Sequence, residues 1–416
     1  MRMLRSTIAF IFAGILFADA IPHREYAERR EKLRTDTTDG VVVMFAVQPP
    51  PDFHDRNGFF QEQNFFYLTG WNEPNAALLL CSTCPDDLKE VFFLPKRNAR
   101  KEIYDGHMVA PGDADVTEKT GFKTVLPFEK LEQTLAKALE DSAAIYTLFD
   151  GHQDTLAKLA PLRTLKDVRM SITHLRTVKS DAELSILQKA IDATVAAHLR
   201  SWTAAKPGAY EYEISALMQE TYFAKGCERS AYPAIVGSGP NSTTLHYNSN
   251  KRRMDSGEVL LMDVAGEYSM YAADITRTIP VNGSWSARQK QIYEMVLAAQ
   301  QAAIDAAKPG VLISDLTRIA RETLDKFGNG PNGKAWSSYL PHGVSHHIGL
   351  DVHDPFDPTI PLMEGNVITV EPGLYVPEEK IGVRIEDMIV ITKTGAKLLS
   401  GALPRQASEV ERRMKH

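Results

Sequence analysis

The sequence predicts a smaller α/β domain over residues 21–170, followed by an α+β domain over residues 171–416. In the first part, strand-like and helix-like segments alternate along the chain. In the second part, helices are grouped around antiparallel strand hairpins, which is typical of an α+β domain. The length of 416 residues also favours two or three domains over a single core.

Short apolar runs of strand length occur in the first part at residues 41–47, 65–68, 76–80, 91–94 and 143–148. Residues 128–139 have helical periodicity instead. Charged and turn-forming residues mix over residues 161–180, which places the domain boundary there. The second part then opens with a capping box, Ser180 and Glu183, ahead of an apolar helical pattern. Further helices are predicted at residues 211–224, 287–307 and 314–327.

The first twenty residues have the pattern of a secretory signal peptide. Arg2 and Arg5 precede an apolar run, and Ala18 and Ala20 stand at the positions that signal peptidase reads. The run is short for a bilayer span, which makes a membrane anchor the weaker interpretation. We therefore expect a secreted or periplasmic protein, with no stable membrane insertion after the signal is removed. The net charge of −6 gives no support for nucleic-acid binding.

Three cysteines are present. Cys81 and Cys84 are spaced as C-x-x-C, and in an oxidising compartment they can form a tight disulfide; a loop thiol pair without a role is the equal alternative. Cys227 is expected to be a small packing residue.

The most informative segment is residues 258–279, two strand-like runs joined by a turn at residues 266–269. A turn centred between Tyr268 and Ser269 predicts that Asp263 lies directly opposite Asp274, on the same face. Two carboxylates facing each other among apolar neighbours are destabilising, so something positive should lie between them. A divalent metal ion is the simplest candidate.

The same arrangement recurs at residues 366–392. A turn centred between Glu378 and Glu379 predicts that Glu371 lies opposite Glu386. A proton-sharing dyad or a buried arginine would explain one such pair, but two pairs favour a metal cluster. The segment HGVSHHIGLDVHD, residues 342–354, adds four of the chain's twelve histidines. An oxygen-rich set with one or two histidines suits a pair of Mn, Co or Zn ions, as in metal-assisted hydrolysis.

The order Asp, Asp, His, Glu, Glu within LMDVAGEY, ADITRT, HGVSHHIGLDVHD, VEPGLY and GVRIED resembles the pita-bread metallopeptidases. The match covers roughly residues 180–400. It implies a pita-bread (creatinase/aminopeptidase-like) domain. The segment FFQEQNFFYLTG, residues 59–70, is similar to the N-terminal domain of aminopeptidase P and prolidase, which methionine aminopeptidase lacks.

The resemblance also implies roles for individual residues. Two divalent ions, manganese first and cobalt or zinc as alternatives, would be held by Asp263, Asp274, His346, Glu371 and Glu386, with a hydroxide between them. Glu371 would also shuttle the proton of the attacking water. The expected substrate-side residues are His246 and His353. His342 would lie at the mouth of the same motif, and Arg384 would orient the substrate or a carboxylate. Tyr375 is a weaker candidate, expected behind the residues that contact the metal ions. His347 is not expected to be a ligand. Tyr232 and Tyr247 are candidate apolar contacts for a proline ring, or core residues.

The activity that the resemblance implies is release of the N-terminal residue from peptides with proline in second place. Ser345 ahead of His346, and the tail LSGALPRQASEVE, favour aminopeptidase P over the dipeptidase prolidase. A non-catalytic binding protein, or a metal-free hydrolase resembling creatinase, would be expected to lack the carboxylates. Relatives are often dimers or tetramers, so a homo-oligomer is also expected.

Overall fold

The computed structural model describes residues 21–49 and 58–414. The signal peptide predicted at residues 1–20 lies outside the described residues. Within those residues, none of the helices combines the length and apolar character needed to cross a membrane.

The N-terminal part is built on one mixed six-stranded sheet. Its strands are β1 (Gly40–Phe45), β2 (Ala77–Cys81), β3 (Glu90–Leu94), β4 (Thr124–Pro127), β5 (Ala144–Thr147) and β6 (Thr164–Asp167). They lie in the order β4-β3-β2-β1-β5-β6, with β1 parallel to β5 and antiparallel to β2. Val41 and Val43 belong to one hydrophobic core, and Val42 and Met44 to another. Both faces of the sheet are therefore covered, which explains why β1 is a continuous apolar run.

Seven helices accompany this sheet: α1 (His23–Asp36), α2 (Gln63–Thr69), α3 (Ala99–Asp105), α4 (Val116–Thr120), α5 (Leu131–Ala138), α6 (Gln153–Leu159) and α7 (Arg169–Thr177). The strand predicted at residues 65–68 is wrong, because these residues lie in α2. Glu62 caps this helix by accepting the Phe65 N–H (2.6 Å), and Gly70 ends it in the left-handed conformation. All residues from Asn64 to Thr69 are buried, and a short helix buried on every side has no amphipathic pattern to read.

The C-terminal part contains the helices α8 (Asp181–Ala204), α9 (Glu211–Ala224), α10 (Ala287–Ala306), α11 (Ile313–Asp325) and α12 (Ala407–Met414). The predicted capping box is confirmed: Ser180 Oγ accepts the Glu183 N–H, and Glu183 Oε2 accepts the Ser180 N–H. The other three predicted helices are confirmed to within two residues at each end.

Short strands fill the space between these helices: β7 (Arg229–Ser230), β8 (Ile235–Ser238), β9 (Val259–Asp263), β10 (Gly266–Tyr268), β11 (Tyr271–Ala272), β12 (Thr276–Pro280), β13 (Val367–Val370), β14 (Gly373–Val376), β15 (Ile381–Arg384), β16 (Asp387–Ile391) and β17 (Ala396–Leu398). They form small antiparallel sheets in the orders β11-β10-β7, β12-β9-β8, β13-β16-β17 and β14-β15. The chain is thus α/β in its N-terminal part and α+β in its C-terminal part, as predicted.

The second predicted hairpin has the expected register. Val370 pairs with Asp387 on one side of a break in the ladder, and Gly373 pairs with Arg384 on the other side. Glu371 therefore lies opposite Glu386 in the break. The turn follows β14 and ends at Lys380, whose φ of 55° closes it in the left-handed region.

The first predicted hairpin is shifted by two residues, so the direct opposition of Asp263 and Asp274 is wrong. Asp263 pairs with Thr276, because the turn is centred on Ser269 and Met270, both of which have positive φ. Gly266, which suggested an earlier turn, is a strand residue. A Cβ at Gly266 would lie 2.7 Å from Cys227 Sγ, so close packing explains this glycine.

Cys81 and Cys84 form a disulfide at the end of β2. Cys227 is a buried free thiol, as expected for a packing residue.

Candidate metal centre

The five predicted metal ligands converge on one place. The donor atoms fall into three sets, and within each set all atoms lie within 4.8 Å of one another: Asp263, Asp274 and Glu386; His346, Glu371 and Glu386; Asp274, His346 and His353. The sets share members. Such overlap suits a two-ion site, where one carboxylate serves both ions.

Breaks in the strand ladders present these carboxylates. Asp263 is the last residue of β9, and Asp274 lies between β11 and β12. Glu371 and Glu386 lie opposite each other in the break that separates β13 and β16 from β14 and β15. Since Asp274 is two residues from Thr276, the period of two keeps it on the same face as Asp263. The shift in register therefore preserves the carboxylate cluster.

The electrostatics of the cluster call for cations. Burial, followed by repulsion from neighbouring carboxylates, raises the pKa of Asp274, Glu371 and Glu386 well above the usual range. Arg384 supplies one compensating charge, with Nη2 2.5 Å from Asp263 Oδ2. Four carboxylates against one guanidinium leave an excess of negative charge, which a pair of divalent ions fits.

His346 is prepared as a nitrogen ligand. Its Nδ1 lies 3.0 Å from the His347 carbonyl oxygen, which favours a proton on Nδ1 and a free lone pair on Nε2. That Nε2 lies 3.4 Å from Glu371 Oε1 and 3.6 Å from Asp274 Oδ2. Burial lowers the pKa of His346 to about 4, so the imidazole is neutral, the form that binds metals. The neighbouring His347 is buried and tilts against Phe356, in keeping with its exclusion from the ligands.

Tyr232 contributes a contact that the sequence did not reveal. Its hydroxyl lies 2.6 Å from Asp263 Oδ1 and 2.5 Å from Asp274 Oδ1. A phenol has one proton, so it satisfies one of these carboxylates at a time and orients both. Tyr232 also lines the cavity described below, so it is a polar contact and not only an apolar one. The other candidate, Tyr247, bonds Glu211 instead.

Replacing Tyr232 by phenylalanine should weaken metal binding about 10- to 100-fold, because two ligands lose the group that orients them. The ring is retained, so the fold should persist. Calorimetric titration of the metal-free protein with Mn²⁺ measures the change. Tyr247→Phe is the matched control, since its hydroxyl bonds Glu211 at 2.8 Å, and it should bind like the unmodified protein. If Tyr232→Phe bound Mn²⁺ with unchanged affinity, the Tyr232 hydroxyl would have no role in orienting the two aspartates.

A cavity of about 560 Å³ opens beside the cluster. Asp263 and Asp274 line it, together with the predicted substrate-side residues His246 and His353. The His353 ring lies 4.2 Å from that of His346, centroid to centroid. The N-terminal part of the chain also reaches this cavity, through Phe60 and Gln63. A bound molecule therefore meets both parts of the chain.

His342 and Arg384 join the site through a tyrosine. His342 Nε2 lies 3.0 Å from the Tyr375 hydroxyl, which accepts a hydrogen bond from Arg384 Nη1 (2.6 Å). Arg384 contacts Asp263 in turn, so the relay ends at a predicted ligand. Burial lowers the pKa of His342 to about 4, which keeps it neutral. Neither His342 nor Arg384 is among the residues that line the cavity. They lie instead beside two of the predicted ligands, Arg384 next to Asp263 and His342 next to Glu371.

A buried ion network holds the loop that carries His353. Arg176 donates to Asp351 Oδ2 (2.5 Å), to Asp354 Oδ1 (2.6 Å) and to Asn64 Oδ1 of α2 (2.8 Å). Lys179 Nζ donates to Asp354 Oδ2 at 2.9 Å. Burial alone would raise the pKa of Asp354, but the two cations hold it at about 2. No local pattern in the sequence indicates that Arg176 joins α2 to this loop.

Known proteins match both parts of the chain. Residues 185–393 match the model of metallopeptidase family M24, and residues 26–146 match that of the aminopeptidase P N-terminal domain. The chain is 34% identical to the Xaa-Pro aminopeptidase of Haemophilus influenzae, over 95% of this chain and 98% of that protein. It is 33% identical to Xaa-Pro aminopeptidase 3 of Mus musculus, over 93% and 85%.

A solved structure of aminopeptidase P from Escherichia coli with the inhibitor Pro-Leu superposes with a TM-score of 0.84. It has 31% sequence identity and covers 95% of this chain and 98% of its own. The likeness extends over both the N-terminal sheet and the C-terminal hairpins that present the carboxylates. The chain therefore belongs to metallopeptidase family M24, with the pita-bread domain and the N-terminal domain of its aminopeptidase P branch.

Proposed function

We propose that this protein is a metal-dependent Xaa-Pro aminopeptidase, which releases the first residue of peptides that have proline in second place. The observation that carries the proposal is the overlapping set of five donors beside a cavity that both parts of the chain line. Relatives that match over nearly the whole chain are named as Xaa-Pro aminopeptidases. The Pro-Leu inhibitor of the Escherichia coli relative is what an Xaa-Pro-Leu peptide leaves after its first residue is removed.

Asp263, Asp274, His346, Glu371 and Glu386 would hold two divalent ions. The ions would supply a water of lowered pKa and polarisation of the scissile carbonyl. Glu371 would accept the proton of the attacking water and pass it to the leaving proline nitrogen.

The cavity histidines bind the substrate itself. His246 and His353 face the space beside Asp263 and Asp274, where the scissile carbonyl must lie. Either ring can donate a hydrogen bond to that oxygen as it gains charge. Proline explains why a dedicated site is needed: its nitrogen carries no N–H, so the backbone bond that general proteases use is missing.

A hydrolysis assay on metal-loaded mature protein tests the proposal. We expect free Xaa from an Xaa-Pro-Xaa tripeptide, none from the matched Xaa-Ala-Xaa tripeptide, and loss of activity with a chelator that metal restores. Cleavage of an Xaa-Pro dipeptide alone would make this chain a prolidase. If metal binds and neither substrate is cleaved, the chain is a non-catalytic binding protein.

Three finer properties belong to the same proposal. We infer manganese as the native metal, with cobalt and zinc as alternatives, because the donor set is rich in oxygen. Reconstitution with each ion, followed by the tripeptide assay, would reject manganese if it gave the lowest activity.

We also infer a homo-oligomer, either a dimer or a tetramer. A monomer mass measured by light scattering would contradict this inference.

The third property is export from the cytoplasm. The residues that support it are Arg2, Arg5, the apolar run after them, and the small residues Ala18 and Ala20. The Cys81–Cys84 disulfide suits an oxidising compartment. N-terminal sequencing of the protein after expression in a secreting host should begin at Ile21. Retention of Met1 on the cytoplasmic protein would contradict secretion.

A further inference from the structure

Two carboxylates that are not predicted ligands line the same cavity as the metal cluster. Glu267 lies on β10 and Asp351 lies in the loop before His353. Within the described residues, no lysine or arginine lines this cavity. With two divalent ions offset by the four ligand carboxylates, Glu267 and Asp351 are the other carboxylates of the cavity lining, and each is paired with one arginine.

Glu267 is the more buried and the less fully hydrogen-bonded of the two. Its side chain is 4% exposed, and it shares a face with its strand partners Ala272 and Arg229. Its small strand partner Ala272 also lines the cavity.

Arg229 compensates this carboxylate only in part. Its Nε lies 3.0 Å from Glu267 Oε1, yet Oε1 accepts no hydrogen bond. The guanidinium is turned towards the N-terminal part, where it stacks on Phe60 at 4.5 Å and donates to the Phe59 carbonyl oxygen. Burial raises the pKa of Glu267 to about 7 in spite of this pairing. A second cation would therefore stabilise the ionised carboxylate.

The distance from the metal cluster limits what that cation is. Glu267 is four residues beyond Asp263 along the chain, so their Cα atoms are at most about 13–14 Å apart. Ala272 is two residues from Asp274, or about 7 Å. An arginine side chain spans about 7 Å from its Cα to the guanidinium. With its scissile carbonyl at the cluster, a first residue of that length extends along the cavity towards Glu267.

We propose that Glu267, assisted by Asp351, binds the basic side chain of the first substrate residue, so that peptides beginning Arg-Pro or Lys-Pro are preferred. This specificity rests on the proposed aminopeptidase activity and adds the identity of the first residue to it. Asp351 is the weaker contributor, because Arg176 already pairs with it at 2.5 Å.

Citrulline provides the matched substrate, since it has the shape of arginine without its charge. For the unmodified, metal-loaded protein we expect kcat/KM for Arg-Pro-Pro to exceed that for citrulline-Pro-Pro about 10- to 100-fold, as for a charged hydrogen bond. In Glu267→Gln this ratio should fall to within about threefold of unity. Asp351→Asn should lower it by less. Glu220→Gln is the control, because its exposed carboxylate pairs with Arg200 at the surface, and it should keep the original ratio.

The outcomes separate the specificity from the activity. Equal rates for both peptides in the unmodified protein, or an unchanged ratio in Glu267→Gln, would overturn the proposal. If Glu267→Gln slowed both peptides equally, Glu267 would serve the α-amine that they share, and the basic-residue preference would be wrong. If neither peptide were cleaved, the aminopeptidase proposal would fail, and calorimetric binding of the same two peptides would decide the preference by itself.

Discussion

Glu371→Gln should abolish turnover while the protein stays folded. The substitution keeps the size of the side chain and the backbone hydrogen bond from the Glu371 N–H to the Val344 carbonyl oxygen (2.8 Å). It removes the carboxylate that accepts the water's proton, and general-base catalysis alone is worth about 10²- to 10⁴-fold. A further loss is expected because Glu371 is also a predicted ligand, with Oε1 3.4 Å from His346 Nε2.

The measurement is kcat on an Xaa-Pro-Xaa tripeptide at several metal concentrations, together with metal content and thermal unfolding. Glu378→Gln, the same change at an exposed position of the same hairpin, should leave kcat unchanged. Near-normal activity in Glu371→Gln would end the proton-shuttle assignment. Activity that excess metal restores would reduce Glu371 to a ligand alone.

Arg277→Met should cost about 3–5 kcal/mol of the free energy of unfolding. Arg277 is fully buried and all of its nitrogens are bonded. Nη1 donates to the carbonyl oxygens of Thr276 and Glu386, Nε to that of Pro404, and Nη2 to Asp387 Oδ1 (2.7 Å). Removing the guanidinium leaves the charge of Asp387 buried without its partner, which is the costly way to break an ion pair.

Denaturant unfolding of the metal-free protein measures this loss apart from metal binding. Arg318→Met is the matched control: Arg318 is exposed and pairs with Asp315 and Glu322, and such surface pairs are worth less than about 1 kcal/mol. The double variant Arg277→Met with Asp387→Leu should recover part of the stability, because it removes both charges. Stability of Arg277→Met equal to that of the control would contradict the prediction. Metal affinity should also fall, since Arg277 holds the Glu386 carbonyl (2.6 Å).

The helices of the C-terminal part could be predicted from the sequence because their signals are local. The capping box at Ser180 and Glu183 joins groups three residues apart, and it forms as predicted. Helix α2 has no such pattern to read, because both of its sides are buried between other elements. Amphipathic periodicity therefore indicates a helix only when one face of that helix meets solvent.

The two hairpins show the limit for strand register. The second turn is closed by Lys380 and gives the predicted pairing of Glu371 with Glu386. In the first hairpin, Gly266 suggested a turn. The glycine is needed for another reason, because Cys227 on a neighbouring segment leaves no space for a side chain there. A two-residue shift leaves each side chain on its face, so the prediction of a carboxylate cluster survived the wrong register.

The sequence by itself determined the two-part architecture, the family resemblance and the set of acidic and histidine residues that meet at the candidate site. These follow from hydrophobic period, capping and the order of motifs, all of which act over short stretches of chain. Only the tertiary structure decided that the Tyr232 hydroxyl meets two aspartates, that Arg176 ties α2 to the His353 loop, and that Glu267 faces the cavity. These contacts join segments 31 to 178 residues apart, and packing of the folded chain, which no local pattern encodes, brings them together.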